Sequence, residues 1–337
     1  MATTTPPHPS SALILAPFSA DALTRLSQRM EITYESWLET LKIHDPDELA
    51  ERINALGATA LIVETDFVFA ETFEQVSTLR FVGVCRAALN HVDVDAATEH
   101  GVLVVNAPAR NACAVAEHVL GLMIALARRI PEADRYIKEG CWRSPVEPYL
   151  SLRGIELGGR SLGIIGLGAI GRHLASIASA IGMNVLAYDP YVTRYGGAEL
   201  TDLESLLARS DFIATLAPIN SETTAMLNAE AMSLIRPGTF LVIASGIAIA
   251  DRAALLEALK AGPLAGAAID VFDTHPIAPD SPLLSTENVL LTPHIAGATE
   301  ETIHRHSEMV AGDMIRFLDG LMPLNAVNPR AIDLPVA

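Results

Sequence analysis

A glycine-rich loop at residues 166–171 places the strongest limit on the architecture that this 337-residue chain can adopt. The loop reads GLGAIG, follows an apolar, β-branched run at 162–166, and opens a helix-forming stretch. Its first glycine, Gly166, permits a tight turn, while Gly168 lets a bulky anion approach the backbone and Gly171 lets helix and strand pack closely. This order of strand, glycine loop and helix is typical of an open, doubly wound parallel α/β sheet.

An acidic residue, Asp189, ends the next predicted strand, 18 residues after Gly171. A carboxylate in this place accepts hydrogen bonds from the adenosine ribose of a dinucleotide and repels a 2′-phosphate. The sequence therefore favours NAD as cofactor over NADP, and Arg194 is the nearby residue that would weaken this preference. The alternative interpretation is a glycine turn that serves packing alone.

Short β-branched runs alternate with helical stretches along the chain, which predicts parallel α/β architecture. In the first part we expect strands at 12–16, 60–63, 81–85 and 102–105, with helices at 46–56 and between the Asp93 cap and Gly101. A second series of six strands predicts a complete doubly wound sheet, at 162–166, 184–188, 212–215, 240–243, 264–269 and 289–291. Its helices are expected at 169–181, 202–208, 229–235 and 251–260.

Two further helices bear on how the chain is organised. The helix expected at 112–129 is apolar on nearly all sides, so we expect it to lie between domains or between subunits. A last amphipathic helix at 299–318 is expected to return to the first domain.

The charge balance excludes two classes of partner. Lys and Arg number 23 against 40 Asp and Glu, a formal net charge of −17, so we expect no nucleic acid and no anionic membrane surface. The longest apolar run is too short to cross a bilayer, and residues 1–10 lack the features of a signal peptide and are interpreted as a disordered tail.

The cysteines and histidines do not predict a metal site. None of the three cysteines belongs to a CxxC pair, which favours a reducing, cytoplasmic location without a structural metal. His304 and His306 are two residues apart on a predicted helix, so they point to different faces and are expected on a solvated surface.

From about residue 60 to 325 the chain resembles the D-isomer-specific 2-hydroxyacid dehydrogenases, the family of D-glycerate and D-phosphoglycerate dehydrogenases. Segments that carry the resemblance include HVDVDAATEHGVLVVNAPARN at 91–111, GRSLGIIGLGAIGR at 159–172 and NVLLTPHIAGAT at 288–299. The resemblance implies a Rossmann-type NAD-binding domain at 109–299, inserted in a flavodoxin-like substrate domain made of 1–108 and 300–337. It also implies a homodimer that forms through the nucleotide domain and the helix at 112–129.

The family's catalytic residues are Arg, Glu and His, and only the histidine is matched. His294, in TPHIAG, corresponds to the family acid that protonates the substrate carbonyl while hydride arrives from the nicotinamide. Ser245 occupies the arginine position and cannot supply the charge that clamps a substrate carboxylate. His275 occupies the glutamate position, and two imidazoles in contact titrate as one pair in which a neutral ring dominates near pH 7.

The resemblance also implies the ligand contacts. Cofactor contacts are expected at Gly166, Gly168, Ala169, Ile170, Gly171, Asp189, Pro190, Pro218, Thr223, Ser245, Asp270, His294 and Gly297. Among them, Asp270 corresponds to a residue that contacts the nicotinamide carboxamide, and its alternative role is to cap a loop.

Substrate contacts are expected at Arg86, Ala87, Ala88, Leu89 and Arg110. Close relatives have a glycine-rich loop at the first four of these positions, so this chain offers a bulkier and more apolar surface. Arg86, Arg110, Arg143 and Arg153 are the candidates to replace the missing cation, and the sequence does not rank them. The acidic surplus without the family arginine argues against a small, highly charged anion as substrate.

Three functions fit these residues. The first is an NAD-dependent oxidoreductase for a non-standard hydroxy or keto substrate, with His294, His275 and Ser245 as catalytic residues. The second is a non-redox isomerase, lyase or cyclase that uses the histidine pair with bound NAD. The third is a catalytically silent, NAD-binding regulatory protein.

Overall fold

The computed structural model describes residues 10–332 and divides the chain into two compact units. Unit 1 comprises Met1–Arg110 and Thr299–Ala337, and unit 2 comprises Asn111–Ala298. The tail expected at residues 1–10 lies outside the described residues except for Ser10.

Unit 1 is built on a five-stranded parallel sheet with the strand order β2-β1-β3-β4-β5, which is the flavodoxin-like order. Its elements up to residue 110 are β1 (Ser11–Ile14), α1 (Ala20–Ser27), β2 (Glu31–Tyr34), α2 (Trp37–Thr40), α3 (Pro46–Leu56), β3 (Ala60–Val63), α4 (Ala70–Gln75), β4 (Phe81–Val84), α5 (Val94–Glu99) and β5 (Leu103–Asn106).

The helix ends of unit 1 follow the expected capping chemistry. The Asp45 side chain accepts a hydrogen bond from the Glu48 amide at 2.9 Å, Pro46 opens α3, and Gly57 closes it at φ 59°. Asp93 caps α5 in the same way, through the amide of Ala96 at 2.9 Å. Both helices are confirmed, with α3 at the predicted bounds.

The expectation of four strands in this sheet is wrong, because β2 adds a fifth. Its sequence, EITY, is short and begins with an exposed glutamate, so it shows no apolar run of its own. It forms because each of its residues pairs with β1, from Ser11 with Glu31 to Ile14 with Tyr34. An edge strand of this kind is stabilised by its neighbour rather than by intrinsic preference.

Unit 2 is built on a seven-stranded parallel sheet with the order β12-β11-β10-β9-β6-β7-β8. Its elements are α6 (Ala112–Arg128), α7 (Ile130–Lys138), α8 (Glu147–Ser151), β6 (Ser161–Ile165), α9 (Ala169–Ala180), β7 (Asn184–Tyr188), β8 (Glu199–Leu200), α10 (Leu203–Arg209), β9 (Phe212–Thr215), α11 (Ala229–Leu234), β10 (Thr239–Ile243), α12 (Arg252–Lys260), β11 (Leu264–Ile269) and β12 (Val289–Leu291).

The six predicted strands of unit 2 are confirmed, but the count of six is wrong. The seventh strand, β8, has only two residues and pairs with β7. The strand order reverses at β6, with β7 on one side and β9 on the other. In open α/β sheets, ligands bind outside the carboxyl ends of the strands at such a reversal.

The last helix, α13 (Glu300–Leu318), belongs to unit 1. Its inner face buries Val310, Met314 and Phe317, and the Phe317 ring lies 5.4 Å from that of Phe81 on β4. Both His304 and His306 are expected on a solvated surface. His304 is exposed, as predicted, but the prediction is wrong for His306, which is fully buried. His306 lies inside because α13 turns it towards Pro17, whose carbonyl oxygen is 2.7 Å from its Nε2.

No helix within residues 10–332 is long and apolar enough to span a membrane. Over the same residues, no group of three or more His, Cys, Asp or Glu side chains is arranged to hold a metal ion.

Candidate active site

The glycine loop of unit 2 connects β6 to α9 and leaves open space above the backbone. Gly166 has φ 98°, and a Cβ there would lie 2.5 Å from the amide nitrogen of Ala217. A Cβ on Gly171 would collide with the carbonyl oxygen of Gly166, whereas one on Gly168 would meet no atom within 4 Å. The loop therefore forms a cradle at Gly168 that a ligand rather than a side chain can fill.

The first turn of α9 offers amide donors to that cradle. Gly168 is the N-cap and makes no side-chain capping hydrogen bond, and Ala169 and Ile170 are the first two helical residues. The amides at a helix start lack helical acceptors and carry a partial positive charge. A pyrophosphate fits this combination of open space and donors, so these residues are suited to NAD.

Asp189 follows β7 and is held in position by two backbone amides. Its Oδ2 accepts a hydrogen bond from Leu167 at 2.8 Å, and its Oδ1 accepts one from Tyr191 at 2.9 Å. Each carboxylate oxygen can accept a further bond, so ribose hydroxyls can still bind. Pro190, the next residue, is exposed beside it.

The segment after β9 is closed by its own hydrogen bonds. Thr223 Oγ1 donates to the carbonyl oxygen of Pro218 at 2.6 Å and accepts from the amide of Asn220 at 2.9 Å. Thr223 is buried, so Pro218 and Thr223 fix the shape of this part of the sheet edge.

Asp270 follows β11, has no exposed surface, and holds the loop that carries His294. Its carboxylate accepts hydrogen bonds from Thr292 Oγ1 at 2.6 Å and from the amides of Ile295 and Ala296, each at 3.0 Å. His118 on α6 lies close by, with Nε2 3.6 Å from Asp270 Oδ1. These contacts make Asp270 a cap of the His294 loop, and its expected contact with the nicotinamide carboxamide stays a prediction.

His294 is held in an unusual backbone conformation and contacts a second histidine. Its φ is 55°, in the left-handed region, and its amide donates to the carbonyl oxygen of Asp270 at 2.8 Å. Its Nδ1 lies 2.9 Å from Nε2 of His275, with the ring centroids 4.9 Å apart. A hydrogen bond at this distance needs one proton between the two nitrogens, so one ring donates and the other accepts.

Ser245 follows β10, and its hydroxyl points along the sheet edge. Its Oγ donates to Thr215 Oγ1, at the end of β9, at 3.1 Å. Gly246 has φ 155°, and a Cβ there would lie 2.9 Å from the Ile219 side chain. The expected site residues of this edge therefore all follow strand ends: Gly166, Asp189, Ser245 and Asp270.

Gly297 ends the His294 loop in a close contact. A Cβ at this residue would lie 3.0 Å from Nδ2 of Asn111. The close approach supports a packing role for Gly297.

In unit 1, the two expected substrate arginines differ in whether their side chains already have hydrogen-bond or ion-pair partners. Arg110 already has two partners, because its guanidinium lies 2.6 Å from Glu64 Oε1 and 2.6 Å from Nδ1 of the buried His306. Arg86 is half-buried after β4, and its side chain makes no hydrogen bond or ion pair with any residue between 10 and 332. Burial lowers the pKa of the Arg86 guanidinium, with Glu64 opposing that effect.

The other expected substrate residues of this loop have no polar side chain, and the other two candidate arginines lie outside this loop. Ala87 and Ala88 are exposed and Leu89 is half-buried. Arg143 is exposed, and Arg153 stacks over the ring of Tyr149 at 5.4 Å.

Sequence reasoning missed the groups that fix the His294 loop. His118 and Thr292 take part in the Asp270 network, with His118 Nε2 3.3 Å from Thr292 Oγ1. They come from segments far apart in the chain. Thr292 belongs to the TPHIAG segment, but no sequence pattern links it to His118, so the sequence carries no signal for this contact.

Comparisons with known proteins show the family of this chain. The family described as D-isomer specific 2-hydroxyacid dehydrogenase, NAD binding domain, matches residues 120–296. A D-3-phosphoglycerate dehydrogenase of Archaeoglobus fulgidus is 36% identical over 326 residues, which cover 95% of this chain and 60% of that protein. A glyoxylate reductase of Korarchaeum cryptofilum is 39% identical over 288 residues, 84% of this chain and 86% of that protein.

The fold has close counterparts among solved structures. The crystal structure of a protein from Thermus thermophilus matches with a TM-score of 0.83 at 32% identity. The match covers 94% of this chain and 99% of the other.

Proposed function

The chain belongs to the D-isomer-specific 2-hydroxyacid dehydrogenase family, and from this premise we propose that it transfers hydride between NAD and a non-standard hydroxy or keto substrate, with His294 moving the proton. The observation that carries the proposal is the 2.9 Å contact between His294 and His275, at the positions of the family's His and Glu. Substrates named for relatives, such as glyoxylate, are not assumed for this chain.

NAD, when bound, supplies or accepts the hydride. In the reducing direction, His294 gives a proton to the carbonyl oxygen as hydride reaches the carbon, and the reverse holds in oxidation. Because Nδ1 of His294 is engaged by His275, we assign the proton exchange with substrate to Nε2. His275 holds the orientation of the His294 ring and shares its proton.

Ser245 changes what the site can bind. Its hydroxyl is turned to Thr215 and carries no charge, so this edge of unit 2 lacks the family's carboxylate clamp. We assign the missing cation to Arg86, because Arg110 is neutralised by Glu64 whereas Arg86 keeps its donors unused among the described residues. Arg86 also follows the carboxyl end of β4, the edge at which such sheets bind ligands.

A second candidate function is a non-redox isomerase, lyase or cyclase on the same scaffold. The histidine pair favours it, since two coupled imidazoles can take a proton from one atom and return it to another. In this case NAD remains bound and the absorbance of NADH stays constant while product forms.

The test is a panel of keto acids, ketones and aldehydes with NADH, followed at the NADH absorbance band. Oxidation of NADH with at least one compound is expected, and a His294→Asn variant should lose about 10²–10⁴-fold in kcat/KM. His304→Asn, an exposed histidine on α13, is the matched control and should keep full activity. If the protein binds NADH but oxidises it with no compound in the panel, the proposal of an oxidoreductase is contradicted and the non-redox enzyme is favoured.

We further propose that the protein is a homodimer that associates through unit 2. Large apolar side chains are exposed from α7 to α8, including Ile137, Trp142, Tyr149 and Leu150. A cavity of about 990 Å³ lies in the same unit, lined by residues of α6, α7 and β12. An apolar projection and a cavity on one unit are complementary in a two-fold dimer, in which each copy presents both.

A further inference from the structure

A hydrogen bond on unit 2 joins two residues that neither the glycine motif nor the histidine pair explains. Tyr191 Oη, after β7, donates to Glu222 Oε2, after β9, at 2.6 Å. This distance is that of a charge-assisted bond between a hydroxyl and a carboxylate. Both side chains are exposed, so packing does not force them together.

The backbone of each partner is fixed independently. Tyr191 donates its amide hydrogen to Asp189 Oδ1 at 2.9 Å, so the phenol begins beside the carboxylate expected to bind ribose. The amide of Glu222 donates to Asn220 Oδ1 at 2.8 Å, in the segment that Thr223 closes. Two rigid loops thus hold the phenol and the carboxylate in contact.

The charges around this bond are mostly negative. The hydrogen bond to Glu222 and the charge of Glu222 are the main causes that raise the pKa of the Tyr191 phenol, and Asp189 adds a smaller effect. The phenol therefore stays protonated and the negative charge stays on Glu222. Of the cations in this region, Arg172 is tied through Nε to the carbonyl oxygen of Leu167 and lies over the Tyr195 ring. Arg194 is exposed and makes no ion pair within residues 10–332.

We propose that Glu222, positioned by Tyr191, is a second acidic determinant that rejects a 2′-phosphate on the adenosine ribose and thereby selects NAD over NADP. A 2′-phosphate placed at Asp189 would face two carboxylates instead of one. Glu222 is a specificity determinant and Tyr191 a positioning residue. The inference rests on Asp189 as the ribose acceptor, and it is independent of the histidine pair and of the substrate.

The test measures dissociation constants for NADH and NADPH by cofactor fluorescence, without turnover. Glu222→Gln keeps an acceptor for the phenol and removes the charge, so NADPH should bind about three- to tenfold tighter while the NADH constant changes less than about twofold. The gain should shrink at high salt, since the repulsion between exposed charges is screened. Tyr191→Phe, which frees Glu222 to move, should give a smaller gain.

Glu257→Gln, an exposed glutamate on α12, makes the same change in net charge and should leave the NADPH to NADH ratio unaltered. If Glu222→Gln and Glu257→Gln have equal ratios of the NADPH to the NADH dissociation constant, the role of Glu222 is overturned, while the assignment of the NAD site stands. Failure of the wild-type protein to bind NADH at all would contradict the cofactor site itself, and the inference with it.

Discussion

The contacts of single side chains are the reason why we propose Arg86, rather than Arg110, as the arginine that binds substrate. In unit 1, Arg110 has Glu64 and His306 as partners, whereas Arg86 keeps its donors available among the described residues. The bond from Arg110 to His306 Nδ1 assigns the proton of that ring to Nε2, which faces the carbonyl oxygen of Pro17. His306 is therefore neutral, in line with the lowering of its pKa by burial.

Replacing Arg86 tests its assignment to the substrate. Charged hydrogen bonds contribute about 1.5–3 kcal/mol, so Arg86→Gln should raise KM for a carboxylate substrate by roughly 10- to 150-fold, with NADH binding unchanged. Arg330→Gln, at an exposed arginine of unit 1 that is not a candidate for the substrate cation, is the control. An unchanged KM in Arg86→Gln would remove Arg86 from the binding site.

His91 gives unit 1 a defined response to acid. The residue is 4% exposed, and neither ring nitrogen has a hydrogen-bond partner within the described chain. Burial, with Arg86 adding to it, lowers the pKa of His91 from 6.5 to about 4. Between these values the unfolded chain binds the proton and the folded one does not, so the free energy of unfolding falls as pH falls through this window.

The expected loss is on the order of 3 kcal/mol between pH 6.5 and pH 4. Urea unfolding of His91→Asn should show a flatter dependence on pH than the wild type across this range, whatever its stability at pH 8. His304→Asn, at an exposed histidine, should follow the wild-type curve. Parallel curves for His91→Asn and the wild type would show that His91 is not the group that titrates.

At the level of whole elements, the loop from β12 to α13 is shaped by one buried carboxylate. Asp270 binds Thr292, Ile295 and Ala296, and the His294 backbone adopts φ 55° between them. A residue other than glycine holds this conformation only where its surroundings enforce it. The position of the His294 ring therefore depends on Asp270, which directly follows β11.

Removing this carboxylate should destabilise the protein. Asp270→Ala leaves the buried amide of Ala296 without an acceptor and should lower the free energy of unfolding by about 2–4 kcal/mol in urea titrations. Asp273→Ala, a few residues further along, removes an exposed carboxylate paired with Arg252 and should cost less than about 1 kcal/mol. Equal losses for the two variants would contradict the anchoring role.

The sequence predicts elements with a strong local signal and misses those that depend on neighbours. The capped helix α3 and the strands β3, β7 and β9 are found at their predicted bounds, because their apolar runs and end residues are local. The edge strands β2 and β8 are missed because they depend on pairing with β1 and β7.

In the candidate site as well, the sequence predicts residues in local motifs and misses contacts between residues that are far apart in the chain. Motifs predict the glycine loop and His294 as site residues, and the resemblance predicts that His275 stands where the family has a glutamate. The contact of Arg110 with His306 and the Asp270 network join residues far apart in sequence, so no local pattern predicts them.

For the molecule as a whole, the acidic surplus and the exposed apolar surface of unit 2 have different consequences. A net charge of −17 opposes association by general repulsion, so a dimer needs a specific apolar interface. In the proposed dimer this interface is formed by the side chains from α7 to α8, where Trp142 is 58% and Tyr149 74% exposed in a single chain.

Charge introduced on this surface should separate the subunits. In sedimentation experiments the wild type is expected as a dimer, and Tyr149→Glu combined with Leu150→Asp should give monomer with unchanged circular dichroism. Leu324→Asp, at an exposed leucine of unit 1, is the control and should stay dimeric. A wild-type monomer, or a dimer that survives the double substitution, would refute the proposed interface.

The pH dependence of kcat/KM tests the paired histidines most directly, with the keto compound that the panel shows to be the best substrate. In the wild type, His275 gives His294 no carboxylate partner that would favour its protonated form. His275→Glu restores a carboxylate and should move the alkaline limb up by about one pH unit or more. Superimposable profiles for the wild type and His275→Glu would contradict the claim that this pair governs proton transfer.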